Sequence, residues 1–240
     1  MIDLSPRQIQ ILRAIINEFV ETAEPIGSDT IDKKYNIGVS PATIRNEMVQ
    51  LTKQGYLRKP HTSAGRIPTP QAMKLYVNEL VKEKELTVAD EISAKEQIWE
   101  NRTDADKLLQ KITEVLAERT HALGIALQGD ERMYHSGYAN LLGMPEFHDI
   151  NVMRNVLQLI EKTRLMDDIF ESVASENQVQ VIYGSELGNR DLEPVGIIYI
   201  SCNIQGSQCR IGAIGSSRFD YAYVLPMMKY VRKLMEEIVE

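Results

Sequence analysis

Between Ser40 and Thr69 the chain encodes a helix with a firm start and stop, followed at once by a basic hairpin. Ser40 can accept a bond from an orphan amide of the first turn. Pro41 stands where a missing N–H costs nothing. Ile44, Met48 and Leu51 recur at i, i+4 and i+7, so one side of this helix must be buried. Gly55 suits the left-handed residue that ends such a helix. The opposite side carries Ala42, Thr43, Arg45, Asn46, Val49 and Gln50. Short, amide and guanidinium side chains can bond base edges in a major groove, and a helix N-terminus favours phosphate. Taken alone, the helix reads equally well as an ordinary surface helix.

Its neighbours change that balance. Ser5-Pro6-Arg7-Gln8 is another helix start, with a Ser cap, Pro at the first position and Gln three residues after the cap. Ile9, Leu12, Ile15, Ile16, Phe19 and Val20 continue at helical spacing until Glu24-Pro25-Ile26-Gly27 turns the chain. Ser28 is expected to cap a second short helix with Ile31 and Tyr35 facing inward, and Asn36-Ile37-Gly38-Val39 leads into the third. Helix, turn, short helix, turn, helix is the helix-turn-helix order. After it, Tyr56–Lys59 and Arg66–Thr69 are predicted as short strands around a loop with His61, Thr62, Ser63 and Gly65. Such a hairpin suits phosphate or minor-groove contact; the alternative is a plain solvated hairpin. The predicted DNA contacts are Ser40, Ala42, Thr43, Arg45, Asn46 and Gln50 of the helix. The hairpin adds Arg58, Lys59, His61, Thr62, Ser63 and Arg66. Thr69-Pro70 then restarts a helix through Leu80.

The formal charge of -7 argues against nucleic acid until its distribution is considered. Residues 1–84 carry 12 Lys/Arg against 9 Asp/Glu, whereas residues 85–240 carry 15 against 25. Within 40–66 five cations stand against Glu47 alone. A basic head on an acidic body fits a site-specific binder better than a general coating protein. A 43% apolar and 25% charged composition is that of a globular chain with a substantial core.

Beyond the hairpin the pattern changes. Residues 81–105 are rich in Lys, Glu and Asp and read as a helical linker or hinge, with Trp99 as its packing anchor. A helix is expected from Asp106 to Leu123, then a strand from Gly124 to Leu127. Two helices follow over 151–176, interrupted near Thr163. Strands are predicted at Val179–Tyr183, Val195–Ser201 and Arg210–Ile214, and a closing helix at 221–238. Strands flanked by long helices imply a small α/β domain. The apolar stripes at 108–116 and 224–238 are candidates for a two-fold interface or for intramolecular core.

Other chemistries find little support. Cys202 and Cys209, seven positions apart, form neither a disulfide framework nor a zinc pattern and are read as structural or incidental. His121, His135 and His148 lack ligand spacing, so no metal is assigned. Gly215-Ser216-Ser217-Arg218 lacks the P-loop spacing and reads as a tight turn. No nucleophile–base pairing supports an enzyme, and no cofactor is expected. The start is a capped amphipathic helix and no apolar run approaches the ~20 residues of a membrane span, so a cytoplasmic protein is expected.

Ser40-Pro41-Ala42-Thr43-Ile44-Arg45-Asn46-Glu47-Met48 and His61-Thr62-Ser63-Ala64-Gly65-Arg66-Ile67-Pro68-Thr69 resemble the heat-inducible transcription repressors of bacteria, the HrcA family. Glu24-Pro25-Ile26-Gly27-Ser28, Ile214-Gly215, Arg218-Phe219-Asp220-Tyr221-Ala222 and Val224-Leu225-Pro226 are similar to the same pattern. The resemblance is weak between about Lys84 and Gln178. It implies an α+β chain: an N-terminal winged helix-turn-helix over 1–80, the linker over 81–105, and a GAF-like α/β regulatory and dimerisation domain over 106–240. The chain is shorter than the longer members, so their inserted dimerising domain is expected to be reduced or absent. The implied function is negative regulation of heat-shock chaperone operons by a homodimer on a CIRCE-like inverted-repeat operator of double-stranded DNA. A GroEL-type chaperonin would keep the repressor active, and heat stress would release it. The alternative is a ligand-responsive winged-helix regulator whose GAF-like domain binds a small molecule.

Overall fold

The computed structural model describes residues 3–62, 64–129, 132–172 and 178–239. The chain divides into two compact units, Met1–Lys82 and Glu83–Glu240.

The first unit is built from three helices and a hairpin, followed by a short fourth helix. Helix α1 (Pro6–Thr22) starts with a complete capping box: the Ser5 hydroxyl accepts from the Gln8 amide, and the Gln8 side chain accepts from the Ser5 amide. Helix α2 (Ser28–Tyr35) is preceded by Gly27 at the cap position, so Ser28 is its first residue rather than its cap. Helix α3 (Pro41–Lys53) begins at Ser40 and ends before Gly55, whose φ of 83° takes the left-handed region. Strands β1 (Leu57–Arg58) and β2 (Ile67–Pro68) pair antiparallel. Helix α4 (Pro70–Leu75) runs into a π-helical turn, Tyr76–Leu80, closed by the Val81 amide on the Tyr76 carbonyl. The helix expected through Leu80 therefore changes its winding at Tyr76. The core joins Ile11, Leu12, Ile15 and Ile16 of α1 to Ile31, Ile44, Met48, Leu51 and Leu57. Among its described residues one charge is inside: Glu18, 2% exposed, accepts from Lys34 Nζ at 2.5 Å and from the Tyr35 hydroxyl at 3.3 Å. Burial, and then the Glu18 charge, push the Tyr35 phenol up to about 12.

The second unit is a five-stranded sheet between helices. Its strands are β3 (Leu123–Gln128), β4 (Arg132–Ser136), β5 (Gln180–Tyr183), β6 (Val195–Ile204) and β7 (Ser207–Ser216). The order is β4-β3-β7-β6-β5, and every neighbouring pair is antiparallel. The helices are α5 (Val88–Trp99), α6 (Ala105–Thr120), α7 (Tyr138–Leu142), α8 (Ile150–Glu161), α9 (Thr163–Ser172) and α10 (Tyr221–Val239). On one sheet face Leu123, Ile125, Leu127, Ile197, Tyr199 and Ile214 pack with Val152, Val156, Met166 and Phe170 of α8 and α9. Alternate residues serve the other face. There Gly124 lies so close beneath α6 that a Cβ would stand 2.1 Å from the Thr113 carbonyl oxygen.

One expectation needs correcting. Residues 81–105 are no free linker: α5 buries Ala94 and Ile98 inside the second unit. It is tied there by Arg119–Asp90 at 2.8 Å, Lys95–Glu237 at 2.9 Å, and the Tyr230 hydroxyl on the Glu91 carbonyl at 2.9 Å. Trp99 is half-buried, with Lys95 Nζ 5.1 Å and the Arg102 guanidinium carbon 5.3 Å from its ring centroid. The stripes at 108–116 and 224–238 are intramolecular core, with Leu108, Leu109, Ile112, Val115, Leu116, Val224, Met227, Met228, Val231 and Leu234 all buried. Strand β4 was not foreseen at all.

Candidate nucleic-acid interface

Burial of Ile44, Met48 and Leu51 decides which side of α3 meets solvent. Ala42, Arg45, Asn46, Gln50 and Lys53 are exposed, with Val49 half-buried among them. Their spacings of three and four residues set them on one face. Glu47, the single acid of 40–66, is turned aside and pairs with Arg7 of α1 at 3.4 Å. The exposed ridge is left with Arg45 and Lys53 as its charges. Lys53 was missed in the sequence, although positions 42, 46, 49 and 53 fall on one helical stripe.

Ser40 and Thr43 hold the start of this helix. The Ser40 hydroxyl accepts from the Thr43 amide at 3.2 Å and lies 3.0 Å from the Thr43 hydroxyl. Both hydroxyls are thus engaged with each other at the cap.

The hairpin is braced from three sides. Lys59 Nζ donates to the Thr62 carbonyl at 3.1 Å, closing the loop upon itself. Arg66 Nε donates to Thr52 Oγ1 on α3 at 3.0 Å. Ile26 and Arg66 exchange two backbone bonds of 2.8 Å, so the turn between α1 and α2 adds a third rung beside the two strands. Gly65 makes that approach possible, because a Cβ there would lie 2.4 Å from the Ile26 carbonyl oxygen. At the far end, the Thr69 hydroxyl donates to the Gly55 carbonyl at 2.6 Å and accepts from the Ala72 amide at 3.3 Å. Arg58, Lys59, His61 and Thr62 are exposed on the hairpin, and Arg66 is half-buried. Ser63 lies outside the described residues. The structure thus brings Arg45, Asn46, Gln50 and Lys53 onto one rigid helix, with the hairpin locked to that helix through Arg66 and Thr52. Among the described residues, no helix is long and apolar enough to cross a membrane.

An α+β chain with an exposed basic helix face and a braced hairpin has counterparts among known proteins. A solved structure described as a hypothetical protein at 2.2 Å resolution shares the fold, with a TM-score of 0.77 at 19% identity over 99% of each chain. The family model for the HrcA protein C terminal domain matches residues 44–225, and the chain belongs to the HrcA family. The heat-inducible transcription repressor HrcA of Pelotomaculum thermopropionicum is 25% identical over 338 aligned residues, covering 99% of this chain and 97% of that one. That of Desulforudis audaxviator is also 25% identical, over 99% of this chain and 98% of that one. That of Alkaliphilus metalliredigens is 37% identical over 162 residues, 68% of this chain and 47% of that one. An aligned span of 338 residues against the 240 of this chain means that the first relative carries residues without counterpart here.

Proposed function

We propose that this protein is a heat-inducible transcription repressor that binds an inverted-repeat operator as a dimer. In this reading the first unit is a winged helix-turn-helix, α3 its reading helix and the β1–β2 hairpin its wing. The observation that carries the reading is the exposed ridge of Ala42, Arg45, Asn46, Gln50 and Lys53 beside the braced hairpin, in a chain of the HrcA family. Arg45 and Asn46 would read base edges, the one bidentately on guanine and the other on adenine. Lys53, Arg58, Lys59, His61 and Thr62 would meet the phosphate backbone.

A single head buries modest area and reads few base pairs, so useful specificity needs two. Protein two-fold symmetry then maps onto inverted half-sites. The second unit, a GAF-like domain in this reading, would supply the dimer. Its buried stripes are unavailable for that purpose. Its exposed apolar side chains include Ile150 and Leu157 of α8 and Leu165 of α9, at 65%, 39% and 43% exposure. The two-fold contact is assigned to this surface. A GroEL-type chaperonin is the proposed partner that maintains the active form. Operator binding by the purified chain, with and without chaperonin at two temperatures, tests the whole reading. Binding indifferent to operator sequence would refute it.

One observation favours a ligand-responsive regulator as the second reading. A cleft of about 480 Å³ in the second unit is lined by His121, Asn140, Glu146, Ser216, Arg218 and neighbours. Glu146 Oε1 accepts from Arg218 Nε at 2.7 Å, from Arg218 Nη2, and from the Ser216 hydroxyl at 2.8 Å. Glu146 Oε2 is buried without a hydrogen-bond partner among the described residues, as a site awaiting a donor would leave it. A thermal-shift screen of small molecules on wild type and Glu146→Gln separates the two readings.

A further inference from the structure

We propose that Cys202 and Cys209 form a reversible cross-strand disulfide, a redox modification site near the tip of the β6–β7 hairpin. The two residues are directly opposed in the register, between the Ile200↔Ile211 and Ile204↔Ser207 pairs on the same face. The strands are joined by Gln205 and Gly206 alone, at φ of 49° and 80°, a two-residue turn that permits no slippage. Directly opposed antiparallel residues stand roughly 4.5–5.5 Å apart at Cα. A disulfide spans roughly 4.4–6.8 Å. These are the two cysteines of the whole sequence, so one pairing exists within a chain.

The two thiols differ in access, and this assigns their roles. Cys202 is half-buried, whereas Cys209 is fully buried, its Sγ 3.6 Å from the Ser207 carbonyl oxygen. Cys202 is therefore the entering thiol and Cys209 the resolving one. With glutathione disulfide as oxidant, the Cys202 thiol gives its proton to solvent and the thiolate attacks one glutathione sulfur. The S–S bond breaks, and the leaving glutathione thiolate takes up a proton. Cys209 then loses its proton, and its thiolate attacks the Cys202 sulfur. The second glutathione is expelled and protonated. Two protein thiols are oxidised and one glutathione disulfide is reduced to two thiols. Burial pushes the Cys202 thiol up to about 12 and raises Cys209 as well, so thiolate is scarce at neutral pH and closure accelerates as pH rises.

The test uses the full folded chain incubated with glutathione disulfide. Wild type should lose the mass of two hydrogens, yield a 202–209 linked peptide under non-reducing digestion, and return to dithiol with dithiothreitol. Cys209→Ala should instead retain one glutathione on Cys202, and Cys202→Ala should stay unmodified because Cys209 is sealed in. Both thiols remaining alkylatable after alkaline exposure to the oxidant would overturn the proposal. So would a lasting glutathione adduct on wild-type Cys202, or a link between two chains.

Discussion

Gly65→Ala is the sharpest probe of how the hairpin is held. The new methyl would sit 2.4 Å from the carbonyl oxygen of Ile26, 2.6 Å from its carbon and 2.9 Å from its nitrogen. All three are backbone atoms, so no side chain can swing aside. The hairpin base must retreat and surrender the two 2.8 Å bonds between Ile26 and Arg66. At ~0.5–1.5 kcal/mol net for each bond, the local cost is ~1–3 kcal/mol. The two donors are the Ile26 and Arg66 amides, so native-state hydrogen exchange reads the change directly. Their exchange should accelerate by roughly one to two powers of ten, while amides in the middle of α1 stay protected. Operator binding should weaken in the same variant, because the hairpin is no longer registered against α3. Gly27→Ala is the control: open space surrounds that position, so the effect should stay at ~1 kcal/mol or below, the size of a cap change. Unchanged exchange at both amides in Gly65→Ala would refute the close-approach argument, whatever happened to DNA binding.

Other outcomes follow from the same geometry. Arg45→Ala or Asn46→Ala should cost ~1–3 kcal/mol of operator affinity and relax preference at one base position, read by competition among operator variants; unchanged affinity in both would remove them from the reading face. Lys53→Ala should flatten the salt dependence of binding by about one phosphate equivalent. Arg66→Ala should weaken binding chiefly by freeing the hairpin from Thr52, so restoration by Arg66→Lys would contradict a role for the Nε bond. The Tyr35 phenol lies at about 12 in the folded protein against an ordinary 10.0, so the fold favours its neutral form. That contribution is complete below pH 10 and is lost as pH rises toward 12. A tyrosinate titration compared with Tyr35→Phe should lack a component at pH 10 from this residue. Paired substitutions Ile150→Glu and Leu157→Glu should shift the sedimentation equilibrium to monomer and reduce operator occupancy without changing base preference; a dimer that survives them places the two-fold contact elsewhere.

Much of this protein was legible in the sequence because helix starts and stops are local. Ser5 with Gln8, Ser40 with Pro41, and Gly55 act within four residues of each other or of the turn they close, so α1 and α3 could be bounded before any partner was known. The apolar periods of α6 and α10 marked buried faces for the same reason. What those faces meet was not local. The stripes at 108–116 and 224–238 could have joined two chains, and only the sheet that α6 and α10 cover turned them into core. Strand β4 escaped because Arg132, Tyr134 and His135 give a five-residue edge strand no apolar run, and pairing with β3 alone makes it a strand. Likewise, no spacing rule ties Ile26 to Arg66, or Arg66 to Thr52, across the turns that separate them. Cys202 and Cys209 looked incidental as two residues seven positions apart. The hairpin register set them face to face, because in a sheet proximity is decided by which residues pair across the ladder and not by distance along the chain.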